Sequence, residues 1–222
     1  MSSVLGSPSL TESLSDALRQ QIIRGEVAPG LRLTEAWVAS RFDVARPTAK
    51  AGLDRLVAEG LLRRGPRRSS IVPQLSTEDI RDIYFSREPV ETLAVRTLAE
   101  AKNVPADAQQ ALNMMRLAAE QSLHSDHTEA DVAFHRALVA AAGSPRLQRM
   151  HGTVMGEAQL CIAQVRRTAS TDLVELTARH AAIIEAIREG DGSIAEEAMR
   201  ADLHGCRDML LADAAKRAGV AV

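Results

Sequence analysis

Residues 32–73 read RLTEAWVASRFDVARPTAKAGLDRLVAEGLLRRGPRRSSIVP, and their reading decides the architecture of the first third of the chain. Thr34 is placed to cap a short helix with Trp37 and Val38 on its apolar face. A tight turn around Asp43 follows. Pro47 then falls in the first turn of a second helix, where its missing N–H is no loss, and Gly60 stops that helix. Leu53, Leu56 and Val57 back it onto a core. Leu61-Leu62 and Ile71-Val72 read as short strands, with the basic loop RRGPRRSS (63–70) between them. Helix, turn, helix and wing make a winged helix-turn-helix. The second helix of such a unit fits a DNA major groove, and its wing reaches the flanking backbone.

Working outward, residues 1–9 carry Ser, Gly and Pro and read as a loose N-terminus. Leu14, Leu18, Ile22 and Ile23 recur at helical spacing between Leu10 and Arg24, which opens a DNA-binding domain over 10–75. From 76 to 222 every segment reads as helix: Ser76 or Thr77 to about 101, Pro105 to about 123, roughly 127–142, Pro145 to about 167, 171–189, and 193 to about 217. Six helices with short links predict an all-helical antiparallel bundle. The fold class is therefore mainly α. The composition agrees, since 222 residues hold only three Phe, one Tyr and one Trp, fewer than a large sheet would use.

The formal net charge is −2, but it is unevenly spread. Residues 1–75 hold 11 Lys and Arg against 7 Asp and Glu, whereas the rest holds 16 against 22. A basic first third and an acidic remainder suggest that one part faces phosphate and the other does not. Two cysteines make no disulfide framework. With no basic start leading into an apolar run and no apolar stretch of about 20 residues, a soluble cytoplasmic protein with no membrane association is expected.

On the second helix of the winged unit, Arg46, Lys50 and Asp54 share a side away from the apolar backing. Arg46 and Lys50 are the candidates for a base edge or an adjacent phosphate. Arg67 and Arg68 at the wing tip suit phosphate or the minor groove. Arg32 and Arg41 suit backbone contacts, and Thr48 can donate to a phosphate. One such domain reads only a few base pairs, so a homodimer on a palindromic double-stranded operator is expected.

In the bundle, Asp131 and His135 stand four apart in DVAFHRAL and share a helical face. His180 lies ten residues before the Gly190-Asp191-Gly192 turn and Asp202 ten after it, so an antiparallel hairpin sets them level. The four can meet around one divalent ion, and Zn²⁺, Ni²⁺ and Mn²⁺ all suit such a set. His204 is about 200° round from Asp202, so both cannot point inward, and Asp202 is favoured. His124, His127 and His151 read as surface residues. Met114, Met115, Met150 and Met155 read as core. Arg87, one turn before Glu91 in YFSREPVE, reads either as a surface salt bridge or as an inward cation for an anionic effector. A helical metal hydrolase built on the same cluster would need a general base. Nothing marks Glu157 or Glu185 for that role, and the winged helix would go unexplained, so no enzyme is expected.

Several segments together resemble the GntR family of bacterial regulators, in the subfamily whose all-helical C-terminal domain is called FCD, as in the fatty acid regulator. They are LRQQIIRGEVAPGLRL (18–33), VASRFDVARPTAKAGLDRLVAEGLL (38–62), SREPVETLAVRTLAE (86–100), DVAFHRALVAAAGSPRL (131–147) and RHAAIIEAIREGDGSIAEEAMRADL (179–203). The resemblance implies a dimeric, ligand-responsive transcription regulator, commonly a repressor, whose effector is a small organic or sugar acid. It also places Asp131, His135 and His180 on metal-ligand positions, with Asp202 where the pattern has a final histidine. A metal-free sensor of the same design is the alternative. At the DNA end Arg46 matches a contacting position. Lys50 replaces an arginine and loses its bidentate fork, and Ser69 stands where the wing has a glycine.

Overall fold

The computed structural model describes residues 9–66, 69–165 and 172–220, and the chain divides into two units, 1–74 and 75–222. In the first unit, Ser9 and Glu12 form a reciprocal capping box that starts α1 (Leu10–Ile23). Strand β1 (Arg32–Thr34) leads into α2 (Glu35–Phe42), capped by the Thr34 side chain on the Trp37 N–H. Asp43, in the left-handed region at φ 51°, turns the chain toward α3 (Arg46–Ala58). Leu14, Leu18, Val38, Leu53 and Leu56 form the buried interior. Gly52 lets α1 and α3 close up, since a Cβ there would lie 3.0 Å from Leu14 Cδ2.

The wing departs from the sequence reading in three places. Its strands are β2 (Arg63–Gly65) and β3 (Ser69–Ile71), and β1 joins them in an antiparallel sheet of order β1-β3-β2. Leu61 and Leu62 are not strand residues. Their N–H groups both turn back to the Leu56 carbonyl, which ends α3 and drives both side chains into the core. Strand β1 was not foreseen, because three residues are too few for an alternation to register. Trp37 is also 39% exposed, so Val38 alone buries α2.

The second unit contains α4 (Thr77–Glu100), α5 (Ala106–Glu120), α6 (His124–Ala141), α7 (Pro145–Val165), α8 (Leu173–Glu189) and α9 (Gly192–Val220). Ser76 and Asp79 cap α4 reciprocally, and Asp172 caps α8 on two backbone N–H groups. Pro89 lies inside α4, where a proline removes one helical hydrogen bond at a cost of about 3 kcal/mol. Helix α4 packs against α6, α7, α8 and α9. Ile80, Tyr84, Met115, Phe134, Met155 and Met199 lie in the shared core. The expectation that all four methionines are core fails at Met114 and Met150, which are 51% and 60% exposed. Met114 and Met115 are consecutive on one helix and so project about 100° apart, and only one can face inward. Among the described residues no helix is long and apolar enough to cross a membrane.

A candidate metal centre and a candidate DNA-facing helix

Three helices converge on one buried spot. Helix α6 brings Asp131 and His135, α8 brings His180, and α9 brings Asp202 after the turn at Gly190. That glycine adopts φ 88°, the left-handed conformation that lets α8 end there and α9 run back beside it. His180 Nε2 lies 3.0 Å from Asp131 Oδ1 and 3.3 Å from His135 Nε2. The ligand atoms of Asp131, His135 and His180 all fall within 4.8 Å of one another, a spacing that can hold a metal ion. Asp202 borders this trio, with its oxygens 3.5 Å from His135 Nε2 and 3.6 Å from His180 Nδ1. His204 turns away, part exposed, to Glu88 Oε2 at 2.8 Å.

The other nitrogen of each imidazole faces an acceptor. His180 Nδ1 is 2.8 Å from the Leu176 carbonyl, which can only accept, so Nδ1 donates. His135 Nδ1 lies 2.6 Å from Glu91 Oε2, close but poorly aligned for a hydrogen bond. With Nδ1 carrying the proton on each ring, two Nε2 lone pairs face each other, and a proton or a cation between them relieves the repulsion. The residues present therefore fit a divalent ion: two imidazole nitrogens and a carboxylate oxygen of Asp131, with Asp202 alongside. Burial disfavours a charged His180, but the Asp202 and Asp131 carboxylates outweigh it and push its pKa up to about 9. Burial likewise opposes ionisation of Asp131, yet His180 holds its carboxyl below the ordinary range. Asp131 keeps 16% of its side chain exposed and forms the open side of the cluster.

Behind His135 lies a network the sequence did not reveal. Glu91 is 1% exposed. It accepts from Arg87 Nε at 2.6 Å and from His151 Nε2 at 3.0 Å, in addition to its contact with His135. Burial would raise its pKa, but Arg87 and then His135 hold it well below the carboxylate range. Of the two alternatives for Arg87, a surface salt bridge or an inward cation, the pair with Glu91 forms but is fully buried, with the guanidinium 4.9 Å from the Tyr84 ring centre. His151 and His127 are also interior, at 3% and 1% exposure, contrary to the surface reading. His127 Nε2 lies 3.1 Å from Thr177 Oγ1. Their spacing carried the clue: His151 precedes Met155, Ala158 and Ile162 on the buried stripe of α7, and His127 precedes Ala130 and Phe134 on that of α6. His124 is exposed as expected.

In the first unit, Arg46 and Lys50 both project from α3 into solvent, opposite Ala49, Leu53 and Leu56. Lys50 Nζ meets Asp54 Oδ2 at 2.9 Å, and Arg64 Nη1 meets Asp54 Oδ1 at 2.8 Å. Asp54 thus ties the outward face of α3 to strand β2. Arg32 and Arg41 are exposed and Thr48 is half-buried. Arg67 and Arg68, the expected wing-tip contacts, lie outside the described residues.

The family model described as FCD domain matches residues 82–205, and that described as bacterial regulatory proteins, gntR family, matches residues 10–72. The HTH-type transcriptional repressor RspR of Escherichia coli is 28% identical over 188 residues, 82% of this chain and 80% of that protein. The gluconate operon transcriptional repressor of Bacillus subtilis is 24% identical over 197 residues, 86% of this chain and 81% of that one. Among solved structures, E. coli McbR/YncC superposes with a TM-score of 0.77 at 19% identity, covering 92% of this chain and 98% of that chain.

Proposed function

Because this chain belongs to the GntR family of FCD-domain transcriptional regulators, we propose that it is a repressor controlled by a small carboxylate that binds beside a metal in the helical bundle. Family membership makes it a DNA-binding regulator rather than an enzyme. The finer reading is a bundle of the fatty acid regulator's type and a homodimer that recognises a palindromic operator. Lys50 reads a base edge in the major groove and Arg46 holds an adjacent phosphate, with Arg32, Arg41 and Thr48 on the backbone and Arg67 and Arg68 at the wing tip.

The observation that carries the sensing half is the facing Nε2 pair of His135 and His180, 3.3 Å apart with Asp131 and Asp202 beside it. These four residues would hold the ion, and Zn²⁺, Ni²⁺ and Mn²⁺ all accept such a donor set. A divalent cation there supplies a fixed positive charge for an effector's carboxylate. Asp131 leaves the cluster an open side. Arg87, held in the interior by Glu91, is the effector's second cationic neighbour. The similarity to gluconate operon repressors supports a sugar acid as the effector class.

The test is direct. Purified full chain is assayed for metal, refolded with Zn²⁺, Ni²⁺ or Mn²⁺, and titrated onto its neighbouring promoter duplex with and without small carboxylates. Retention of one equivalent of metal and a carboxylate-dependent change in DNA affinity support the proposal. Absence of metal after all three refoldings removes the ion and leaves the metal-free sensor. Failure to bind any promoter duplex at low salt removes the regulator.

A further inference from the structure

The side of α3 that carries Arg46 and Lys50 also carries an acid. Residues 46, 50 and 54 stand four apart, so they fall within about 80° of arc on one helical face. A carboxylate there repels phosphate and lowers affinity for any duplex, so its presence calls for a compensating role. Two contacts show what Asp54 holds. Lys50 Nζ donates to Asp54 Oδ2 at 2.9 Å, and Arg64 Nη1 lies 2.8 Å from Asp54 Oδ1. The hydrogen bond from Lys50 and the contact with Arg64 keep the Asp54 carboxyl below its ordinary range, so it stays charged at neutral pH.

The two cations come from separate elements. Lys50 is on α3, and Arg64 is the middle residue of β2, paired with Ser70 of β3. Strand β2 is closely seated at that point, since a Cβ on Gly65 would lie 2.7 Å from Ser69 Oγ. One carboxylate therefore fastens a flexible lysine to a fixed strand. Both cations remain largely exposed, at 59% and 61% of the side chain, whereas Asp54 is 32% exposed. A lysine that must be ordered on binding loses much rotamer freedom at that moment. Held by Asp54, Lys50 has lost part of it beforehand. Its ammonium has three donors. One goes to Asp54, and two remain. Guanine offers two acceptors, O6 and N7, on its major-groove edge, whereas adenine offers one beside a donor and thymine one beside a methyl group.

We infer that Asp54 is a positioning residue for DNA recognition, holding the Lys50 ammonium so that its two remaining donors select guanine at one position of the operator half-site. This rests on α3 as the reading helix in the proposed function and adds which base it reads and what enforces the choice.

The full chain is used to select duplexes from a randomised pool, and affinities for the selected duplex and for a random-sequence duplex are then measured across salt. Wild type is expected to select guanine at one position, and Lys50→Ala to lose that preference. Asp54→Ala is expected to blunt it too, lowering the ratio of specific to random affinity about tenfold. The same variant is expected to bind random duplex about threefold more tightly, with a salt slope steeper by about one unit, because a repelled phosphate contact is regained. Asp54→Glu keeps the carboxylate and is expected to keep the guanine. Adding Asp54→Ala to Lys50→Ala is expected to change base preference no further. A further change would mean that Asp54 touches a base itself, and overturns the positioning role. A carboxylate that merely braces α3 against β2 gives another result. Asp54→Ala then lowers the melting temperature and weakens both duplexes alike, which also overturns the inference. So does an unchanged guanine preference in Asp54→Ala, or a different base at the position that Lys50 reads. A wild-type chain that binds no duplex at low salt sinks the regulator together with this inference, whereas specific binding indifferent to Asp54 sinks only the inference.

Discussion

Glu91 accepts from Arg87 and His151 while touching His135, so one carboxylate neutralises a buried guanidinium and orients a ring of the candidate metal centre. Two outcomes follow from this double duty. Glu91→Ala leaves Arg87 charged and unpaired inside the bundle, and urea unfolding is expected to report a loss of about 3–5 kcal/mol. Glu91→Gln keeps the shape but removes the charge behind His135, and metal affinity is expected to fall about 10–100-fold by competition with a chromophoric chelator. Unchanged affinity would detach Glu91 from the centre. His180 sets the pH behaviour. Its folded value, about 9, lies above its ordinary 6.5. In the ion-free protein its stabilising contribution is therefore whole below pH 6.5 and is lost as pH rises through 9. A metal needs the same ring deprotonated, so the melting-temperature rise caused by Ni²⁺ or Mn²⁺ is expected to grow between about pH 6 and pH 8.5. A shift independent of pH would exclude His180 as a ligand.

At the scale of elements, two short features place the functional side chains. Gly190 ends α8 at φ 88°, and the return of α9 sets Asp202 beside His180. Gly190→Val forces a branched residue into the left-handed region, with an expected cost of about 1–3 kcal/mol. Weaker metal retention should accompany it, because the hairpin sets the separation of two of the four side chains. A destabilised variant with unchanged metal affinity would show that the register is held by packing alone. The second feature is α3, whose outward face ends in the Lys50–Asp54–Arg64 cluster. Lys50→Ala is expected to change base preference in a binding-site selection. Arg46→Ala is expected to weaken binding more evenly and to flatten the salt dependence by about one unit of slope. If neither change registers in gel shifts across a salt series, α3 is not the reading helix.

For the whole molecule, ligand and fold are coupled. A metal held only by the folded bundle is expected to raise its stability by about 2.7 kcal/mol at a hundredfold excess over Kd, read as a rise in Tm that a chelator reverses. The helices of the bundle, the turn residues and the level placement of His180 and Asp202 across the Gly190 turn were legible from periodicity and turn chemistry. These are local properties, fixed by spacing along one helix or across one turn. The interior places of His127 and His151 were signalled by their stripes, but a histidine at a stripe's edge reads equally well as surface until the packing helix is known. That Met114 faces water while Met115 does not is of the same kind. Tertiary structure alone decided the rest. It buried the Arg87–Glu91 pair, gathered His135 and His151, from two successive helices, onto that one carboxylate, and added β1 to the wing. Sequence determines which way a side chain points from its own helix. Whether that direction ends in solvent, in apolar packing or against an opposite charge depends on a neighbour brought there by the fold, and no local pattern encodes that neighbour.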